Sequence, residues 1–324
     1  MDFKKLITRY RQFGGLRLVW EYVRLGVLGV VVKGFFNCLV RRQSFKGIYP
    51  KVLKRVEPFL IQYGSKVQDF KDSIVQDLEH KKSKIVWFCW LQGLENAPKI
   101  VHACYNSIKR NIPDREIKVI DGKNWKEFVE LPDYIIEKWE KKRIPAALFS
   151  DLLRLELLIK YGGTWIDSTV LCTGFKGSNV QEFKGYLDAD LFLFQYTKQG
   201  SIPVSISNWF ITACSNNEVL IVLRDMLYAY WKDYNCTLDY YIFHLFFSML
   251  SEEYPEEILA MPYGQSMNSL VLMHHLGDKF NQDKWDKLTQ RVSFHKLAFR
   301  VSKEVKEDKG NYFNKIISLY TYNE

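Results

Sequence analysis

The stretch RIPAALFSDLLRLELLIKYGGTWIDSTV, residues 143–170, decides the fold of this chain. Apolar residues at helical spacing predict a helix over residues 146–161, and Gly162 and Gly163 supply its stop. The apolar triplet that follows predicts a short strand with Asp167 at its carboxyl end. Because an α/β sheet exposes ligand-binding groups at that end of its strands, Asp167 is a candidate functional residue.

Asp151 and Arg154 lie three residues apart in the predicted helix and therefore share one of its faces. A carboxylate and a guanidinium at this spacing can hold each other in place by charge-assisted hydrogen bonds. The pair is either an exposed ion pair of little energetic value or a pair that faces a ligand. The spacing alone leaves both interpretations open.

An α/β layer is predicted upstream of this stretch. Residues 85–90, IVWFCW, are typical of a buried strand, and residues 116–121, EIKVID, predict a second strand. Between them, a helix is predicted to open at Pro98 and to close before Pro113. Parallel strands joined by a helix bind ligands at their carboxyl ends, which makes the residues after Trp90 and after Asp121 candidates for nucleotide contact.

Composition and charge narrow the class of protein. The 324 residues are 47% hydrophobic and 15% aromatic, which excludes a disordered chain and allows a sizeable core. The net charge of +9 comes from the N-terminal part of the chain. Residues 1–56 contain 13 Lys and Arg against Asp2 and Glu21, a net of +11, so the other 268 residues carry −2.

The basic segment also contains an apolar run, LGVLGVVV at residues 25–32. Basic residues frame and interrupt the apolar stretch, namely Arg17, Arg24, Lys33, Arg41 and Arg42. This combination predicts a segment at the headgroup boundary of an anionic membrane, since the run is too short for a clean transmembrane span. The alternative is a buried helical hairpin with a solvated basic face. Nucleic acid is not expected as a partner, because Val and Leu are interleaved with the cations.

The six cysteines, at positions 38, 89, 104, 172, 214 and 236, show neither a CxxC pair nor metal-ligand spacing. Most have apolar neighbours, which predicts small buried side chains in a reducing compartment. Together with the basic segment, this predicts a peripheral protein at the cytoplasmic face of the plasma membrane.

The pattern S-D-x-x-R followed by Y-G-G-x-x-x-D, from Ser150 to Asp167, resembles the sugar-transferase signature of glycosyltransferase family 32, and in detail bacterial capsular polysaccharide synthesis proteins. The resemblance covers residues 85–300. Further segments in the family's order are WFCWLQG (87–93), APKIVHACYNSIKR (97–110), SNWF (207–210) and SFHKL (293–297). It implies an α/β fold of the GT-A type, a single mixed sheet flanked by helices. We expect a basic helical extension over 1–84 before it and a C-terminal helix over 301–324 after it.

The resemblance also implies a site for a nucleotide diphosphate sugar. It puts Asp151 near the ribose or donor sugar, Arg154 against the sugar or diphosphate, and Asp167 on a divalent cation, Mn²⁺ or Mg²⁺. Such charges are needed because the leaving diphosphate accumulates negative charge as the glycosidic bond breaks. A third candidate catalytic residue, Asp239, precedes an apolar helix, where capping the helix N-terminus is a competing role.

The sequence departs from the family pattern at the metal site. The family commonly carries Asp-x-Asp, whereas this chain reads Asp167-Ser168-Thr169, so a neutral hydroxyl replaces the second carboxylate. Metal affinity should therefore be weaker unless another ligand completes the site, and His295 is the candidate that matches a family position. Lys296 is placed to neutralise the diphosphate beside it. The alternative for His295 is an ordinary histidine of a strand or loop.

The remaining candidates for donor or acceptor contacts have competing structural roles. Asn208 and Trp209 occupy a family position for such contacts, although Trp209 equally suits the core. Trp87, Trp90 and Gln92 are candidates for flanking the nucleotide base. The two tryptophans of this group are also typical of a buried strand.

The sequence thus predicts a glycosyltransferase that moves a hexose, from a UDP-sugar and with retention as the family implies, to a lipid-linked oligosaccharide in capsular or other cell-surface polysaccharide synthesis. The alternative is a degenerate transferase that binds glycan or scaffolds a synthesis complex, which the missing second carboxylate would explain. A nucleotidyl- or phosphotransferase would also need a sheet and carboxylates, but the chain has no GxxxxGK[ST] loop.

Overall fold

The computed structural model describes residues 8, 10–40, 49–75, 78–177, 180–196 and 206–321. The strands are β1 (Ile85–Cys89), β2 (Glu116–Ile120), β3 (Gly163–Ile166), β4 (Val170–Cys172), β5 (Leu191–Gln195), β6 (Ile206–Ala213) and β7 (Phe294–Lys296). Helices α1 to α8 are α1 (Leu16–Arg24), α2 (Leu28–Val40), α3 (Tyr49–Ile61), α4 (Val67–Asp72), α5 (Lys99–Asn111), α6 (Trp125–Phe128), α7 (Asp133–Glu140) and α8 (Ala146–Tyr161). The others are α9 (Val180–Asp188), α10 (Glu218–Asp233), α11 (Ile242–Glu253), α12 (Pro255–Ala260), α13 (Ser266–His274), α14 (Gln282–Arg291), α15 (Lys303–Glu307) and α16 (Tyr312–Thr321).

A five-stranded mixed sheet, in the order β2-β1-β3-β6-β5, forms the centre of the molecule. Strand β1 runs parallel to β2 and β3, whereas β6 runs antiparallel to β3 and β5. Strands β4 and β7 pair antiparallel in a separate two-stranded sheet. The predicted α/β class, a mixed sheet flanked by helices, is confirmed, and the small second sheet is an addition to it.

The stretch that decides the fold adopts the expected elements. Helix α8 has the predicted bounds and is buried around most of its circumference, so it lies inside the molecule rather than on its surface. It ends at Gly162, whose φ of 66° is in the region that favours glycine. A Cβ at this position would come within 2.9 Å of the Lys81 carbonyl oxygen and the Ser215 amide nitrogen. Glycine therefore lets the chain turn directly from α8 into β3.

The N-terminal helices share the core of the sheet. Val52 and Val56 of α3 and Tyr63 after it are buried in the same apolar cluster as Trp87 of β1 and Leu152 of α8. The division into residues 1–84, 85–300 and 301–324 stays a prediction. Two helices, α15 and α16, lie where a single C-terminal helix was expected.

The predicted membrane segment forms the two helices α1 and α2. No helix among the described residues has the length and apolar character needed to cross a membrane. Arg41 and Arg42 of the predicted basic frame lie outside the described residues.

The cysteines agree with their predicted role as small buried side chains. Among the described residues, Cys89, Cys104, Cys172, Cys214 and Cys236 are buried and form no disulfide. The side chain of the sixth, at position 38, lies outside the described part of the chain.

Candidate functional site

Four charged side chains meet beside the carboxyl end of β3: Asp151 and Arg154 from α8, Asp167 directly after β3, and Lys296 at the end of β7. We call these four residues the charged cluster. The site lies where an α/β sheet is expected to bind ligands, since β1 and β3 run parallel and end on the same side. Its members are drawn together from positions up to 145 residues apart along the chain.

Asp167 is the centre of the cluster. Its Oδ2 atom lies 2.6 Å from Nζ of Lys296, and its Oδ1 atom accepts a 2.9 Å hydrogen bond from Nε1 of Trp165. The Asp167 amide donates to the Trp209 carbonyl oxygen at 2.8 Å, which fixes the backbone. Burial opposes ionisation of Asp167, but Lys296 and Arg154 outweigh it, so its pKa lies below the usual value. The group is therefore a carboxylate held by two cations.

Arg154 connects the two carboxylates of the cluster. Its Nη2 atom lies 3.1 Å from Oδ1 of Asp151 and 3.5 Å from Oδ1 of Asp167. The guanidinium also donates to the Asn208 carbonyl oxygen and packs over the ring of Trp165 at 4.8 Å. Because it is buried and paired on several sides, Arg154 is part of the site and not a surface ion pair.

Asp151 is a buried carboxyl group with a shifted pKa. Its Oδ1 atom accepts a 2.9 Å hydrogen bond from Nδ2 of Asn208. Burial raises its pKa to about 7, with Arg154 opposing the rise and Asp167 adding to it. Near neutral pH, Asp151 therefore exists in both protonation states, and the charge of the cluster lies between zero and +1.

The described residues do not bring the predicted metal ligands together. Thr169 is near Asp167, but Nζ of Lys296 lies between them, 2.8 Å from the Thr169 hydroxyl. His295 is fully buried, and its Nε2 atom lies 3.1 Å from the hydroxyl of Thr173. Neighbouring residues of a strand point to opposite faces, so a β7 that directs Lys296 at Asp167 turns His295 away from it.

The donor set does not fit a divalent cation. Such ions take several oxygen ligands, and Mg²⁺ commonly has one or two carboxylates together with phosphate oxygens and water. Within the described ranges, no group of three or more His, Cys, Asp or Glu side chains is placed to hold a metal ion. Both oxygens of Asp167 already contact cations or hydrogen-bond donors.

The predicted base-flanking residues are distributed between core and loop. Trp87 is buried in the core, where its Nε1 atom donates a 2.9 Å hydrogen bond to the Gly162 carbonyl oxygen. Trp90 follows β1, is partly exposed, and has no hydrogen-bond partner for Nε1 in the described structure. Gln92 is exposed in the loop after it. Trp209, a candidate for donor or acceptor contacts, is also buried and stacks on Phe194 with the ring centroids 4.5 Å apart. Of Trp87, Trp90, Gln92 and Trp209, only Trp90 and Gln92 lie at the surface.

Asp239 lies outside the charged cluster. Its Oδ1 atom accepts a 2.8 Å hydrogen bond from the amide of Tyr241, the residue before α11, and this bond holds the turn that leads into the helix. Its charge acts on Tyr22 of α1, whose pKa is raised by burial, by Cys236 and by Asp239. The structure thus brings Asp239 to the N-terminal helices.

Two residues beside the cluster were not expected from the sequence. Burial, with the charges of Asp151 and Asp167, raises the pKa of Tyr240 to about 12. Burial and the charge of Arg154 lower the pKa of His244 to about 3, so the imidazole is neutral. A histidine on an apolar helix and a tyrosine beside it carry no specific signal in a sequence. Only the position of α11 brings them to the site.

The protein is therefore an α/β domain in which a charged cluster lies at the strand ends of a mixed sheet. Residues 37–316 match the family described as "Capsular polysaccharide synthesis protein". The chain belongs to this family, which confirms the resemblance seen in its motifs.

No curated protein matches the chain. Among solved structures it is similar to one described as "PaToxG Glycosyltransferase", with 14% sequence identity and a TM-score of 0.38. The match covers 82% of this chain and 97% of that chain.

Proposed function

We propose that the chain is a glycosyltransferase that acts in the synthesis of a capsular or other surface polysaccharide. It moves a hexose from a nucleotide diphosphate sugar to a lipid-linked oligosaccharide. The donor is a UDP-sugar and the reaction retains the configuration of the sugar, as the resemblance to the family implies. Membership of the capsular polysaccharide synthesis family supports the pathway class. The observation that carries the reaction type is the charged cluster, in which two cations and a carboxyl group of raised pKa surround Asp167.

The cluster suits a donor diphosphate. A diphosphate near Asp151 would raise the pKa of this carboxyl further, because like charges disfavour ionisation. The cluster would then carry Arg154 and Lys296 against the single carboxylate of Asp167, a net of +1. This charge would stabilise the diphosphate as the bond to the sugar breaks.

The acceptor is proposed to enter from the side of Tyr240. Tyr240 is 42% exposed, and its hydroxyl lies near the charges of the cluster. Its ring also lies 6.1 Å from that of Phe13, just before α1, and the amide of Thr237 donates to the Phe13 carbonyl oxygen at 2.9 Å. The N-terminal helices therefore adjoin the mouth of the site, where a lipid-linked acceptor would arrive.

We propose the exposed face of α1 and α2 as the membrane contact. Leu16, Trp20 and Val23 share one face of α1 at helical spacing, and Leu16 is 83% and Trp20 70% exposed. Val32 and Phe36 of α2 are exposed as well. Tryptophan beside aliphatic residues is typical of a helix that lies in the membrane interface.

Basic residues accompany this apolar face. Arg17 and Arg24 line a cavity together with Trp20, Glu21 and Asn235, and Arg24 pairs there with Glu21 at 2.8 Å. Cations at the border of an apolar face are placed to contact the phosphates of anionic headgroups. The proposed location is thus the cytoplasmic face of the plasma membrane, with the protein bound peripherally.

The reaction is tested by incubating the protein with a panel of nucleotide sugars and a lipid-linked acceptor and analysing the products by mass spectrometry. We expect the wild type to form a glycosylated product and Asp167→Asn to lose on the order of a hundredfold or more in turnover. Asp283→Asn, an exposed aspartate of α14, is the matched control. Full activity of Asp167→Asn, with product formed by the wild type, would contradict the assignment.

The same experiment decides the alternative function. A degenerate transferase that binds glycan or scaffolds a synthesis complex would give no product with any sugar of the panel. It would still bind the acceptor oligosaccharide in a titration. This alternative is retained because the neutral Thr169 stands where the family commonly has a carboxylate.

A further inference from the structure

A cation of the protein itself lies between Asp167 and Thr169, the two positions that correspond to an Asp-x-Asp pair. Nζ of Lys296 lies 2.6 Å from Oδ2 of Asp167 and 2.8 Å from the hydroxyl of Thr169. In an Asp-x-Asp pair, these two positions would supply two carboxylates to one metal ion. Here a single ammonium bridges the two positions.

The backbone holds Lys296 in this position. Val170 of β4 pairs with Lys296 of β7, and the amide of Leu297 donates to the Thr169 carbonyl oxygen at 2.8 Å. Lys296 is thus positioned by a sheet directly beside the Asp167–Thr169 turn. Its side chain is 21% exposed, which leaves part of it open to a ligand.

The chemistry of the ammonium suits a phosphate ligand. A lysine side chain has three N–H donors, of which two are used by Asp167 and Thr169. The third donor and the positive charge remain for a phosphate oxygen. A threonine hydroxyl can accept the hydrogen bond of the ammonium, whereas a second carboxylate would favour a divalent ion.

We propose that Lys296 takes the place of the divalent cation, so that the site binds the diphosphate of its nucleotide without a metal ion. The proposal rests on the proposed function, since it assumes a nucleotide diphosphate ligand. The hydrogen bond from Lys296 to Asp167 holds the ammonium where the diphosphate would bind. The ammonium neutralises the leaving group by hydrogen bonding and transfers no proton to it.

Calorimetric titration of the full chain tests this proposal. The probes are UDP, GDP, CDP and ADP, with inorganic pyrophosphate as the minimal diphosphate, each titrated with EDTA and again with Mn²⁺. We expect at least one nucleotide to bind in EDTA, with less than a threefold change in Kd on adding Mn²⁺. Binding that appears only with Mn²⁺ would overturn the proposal and leave the proposed function standing. Absence of binding in both conditions would overturn the proposed function as well.

Variants of the same residues complete the test. We expect Lys296→Gln to weaken binding in EDTA roughly ten- to a hundredfold, the value of one charge-assisted hydrogen bond. Lys296→Arg should retain most of the affinity, and Lys303→Gln, an exposed lysine of α15, should bind as the wild type does. Combining Lys296→Gln with Thr169→Asp should make binding depend on Mn²⁺. Unchanged affinity of Lys296→Gln in EDTA would overturn the role of Lys296. The comparison of wild-type binding in EDTA and with Mn²⁺ tests the proposal even where a variant fails to fold.

Discussion

The guanidinium of Arg154 lies 3.5 Å from the carboxylate of Asp167, and this contact joins α8 to the carboxyl end of β3. The same group lies 3.1 Å from Asp151 and packs over the ring of Trp165. A planar group with five donors serves these partners together, which an ammonium cannot do. Arg154 therefore sets the relative position of the two carboxylates.

Replacing Arg154 by lysine keeps the charge and removes the planar group. We expect Arg154→Lys to lower kcat/KM for the donor on the order of a hundredfold, because a misplaced donor would lose stabilisation in the transition state. Steady-state kinetics measures this. The matched control is Arg224→Lys, since Arg224 is also paired with carboxylates, Glu156 and Asp225, but lies outside the charged cluster. Equal losses in the two variants would argue against a specific role for Arg154.

The raised pKa of Asp151 predicts a pH dependence of stability. The folded protein holds this proton up to about pH 7, whereas the unfolded chain releases it near the usual value of 3.8. The contribution of Asp151 to stability is therefore fully present below about pH 4 and is lost as the pH rises to 7. Each pKa unit corresponds to about 1.4 kcal/mol, so the loss approaches about 4 kcal/mol.

Asp151→Asn cannot titrate and should lack this dependence. We expect the free energy of unfolding of the wild type, relative to Asp151→Asn, to fall between about pH 4 and pH 7 and to level off above pH 7. Denaturant titrations across this range measure it. Asp283→Asn, exposed on α14, should follow the wild type at every pH. Parallel curves for the wild type and Asp151→Asn would contradict a raised pKa.

Tyr240 is expected to contribute to acceptor binding. Loss of its ring in Tyr240→Ala should raise the acceptor KM roughly tenfold, about the contribution of one aromatic contact, and change the donor KM little. Initial rates with each substrate varied in turn separate the two constants. Tyr263→Ala removes another exposed tyrosine, which is not a member of the charged cluster, and serves as the control. A selective rise in donor KM would place Tyr240 on the donor side instead.

The membrane face is tested with point variants. Deleting residues 1–56 would remove Val27, Val52 and Val56 from the buried core, so loss of binding by that deletion would be ambiguous. Leu16→Ser combined with Trp20→Ser leaves the core intact. We expect it to lower partitioning onto anionic vesicles by at least tenfold, since burying one large apolar side chain contributes about 2 kcal/mol.

Vesicle flotation measures this partitioning. Leu259→Ser on α12 is the control, because Leu259 is at least as exposed as Leu16 but lies on another helix. Neutral vesicles should bind the wild type less than anionic ones, in agreement with the basic border. Unchanged flotation of the double variant would exclude this face as the membrane contact.

Much of the fold was predictable because its signals are local. The bounds of α8, the glycine stop and the strand that follows depend on residues close in sequence, as do β1, β2 and α5. The pairing of β4 with β7 was not predictable, because each strand has three residues and the two are separated by more than a hundred positions. Strands of three residues are too short to show the alternation of apolar and polar residues that predicts a strand.

The sequence by itself determined the family and the position of Asp151, Arg154 and Asp167, because a helix, a glycine stop and a strand place all three within 17 residues. Only the tertiary structure decided that Lys296, and not His295, contacts Asp167. The register of β4 with β7 turns Lys296 toward Asp167 and His295 into the core, since adjacent strand residues face opposite sides. A shift of one residue would exchange the two, and that register depends on packing across the whole domain.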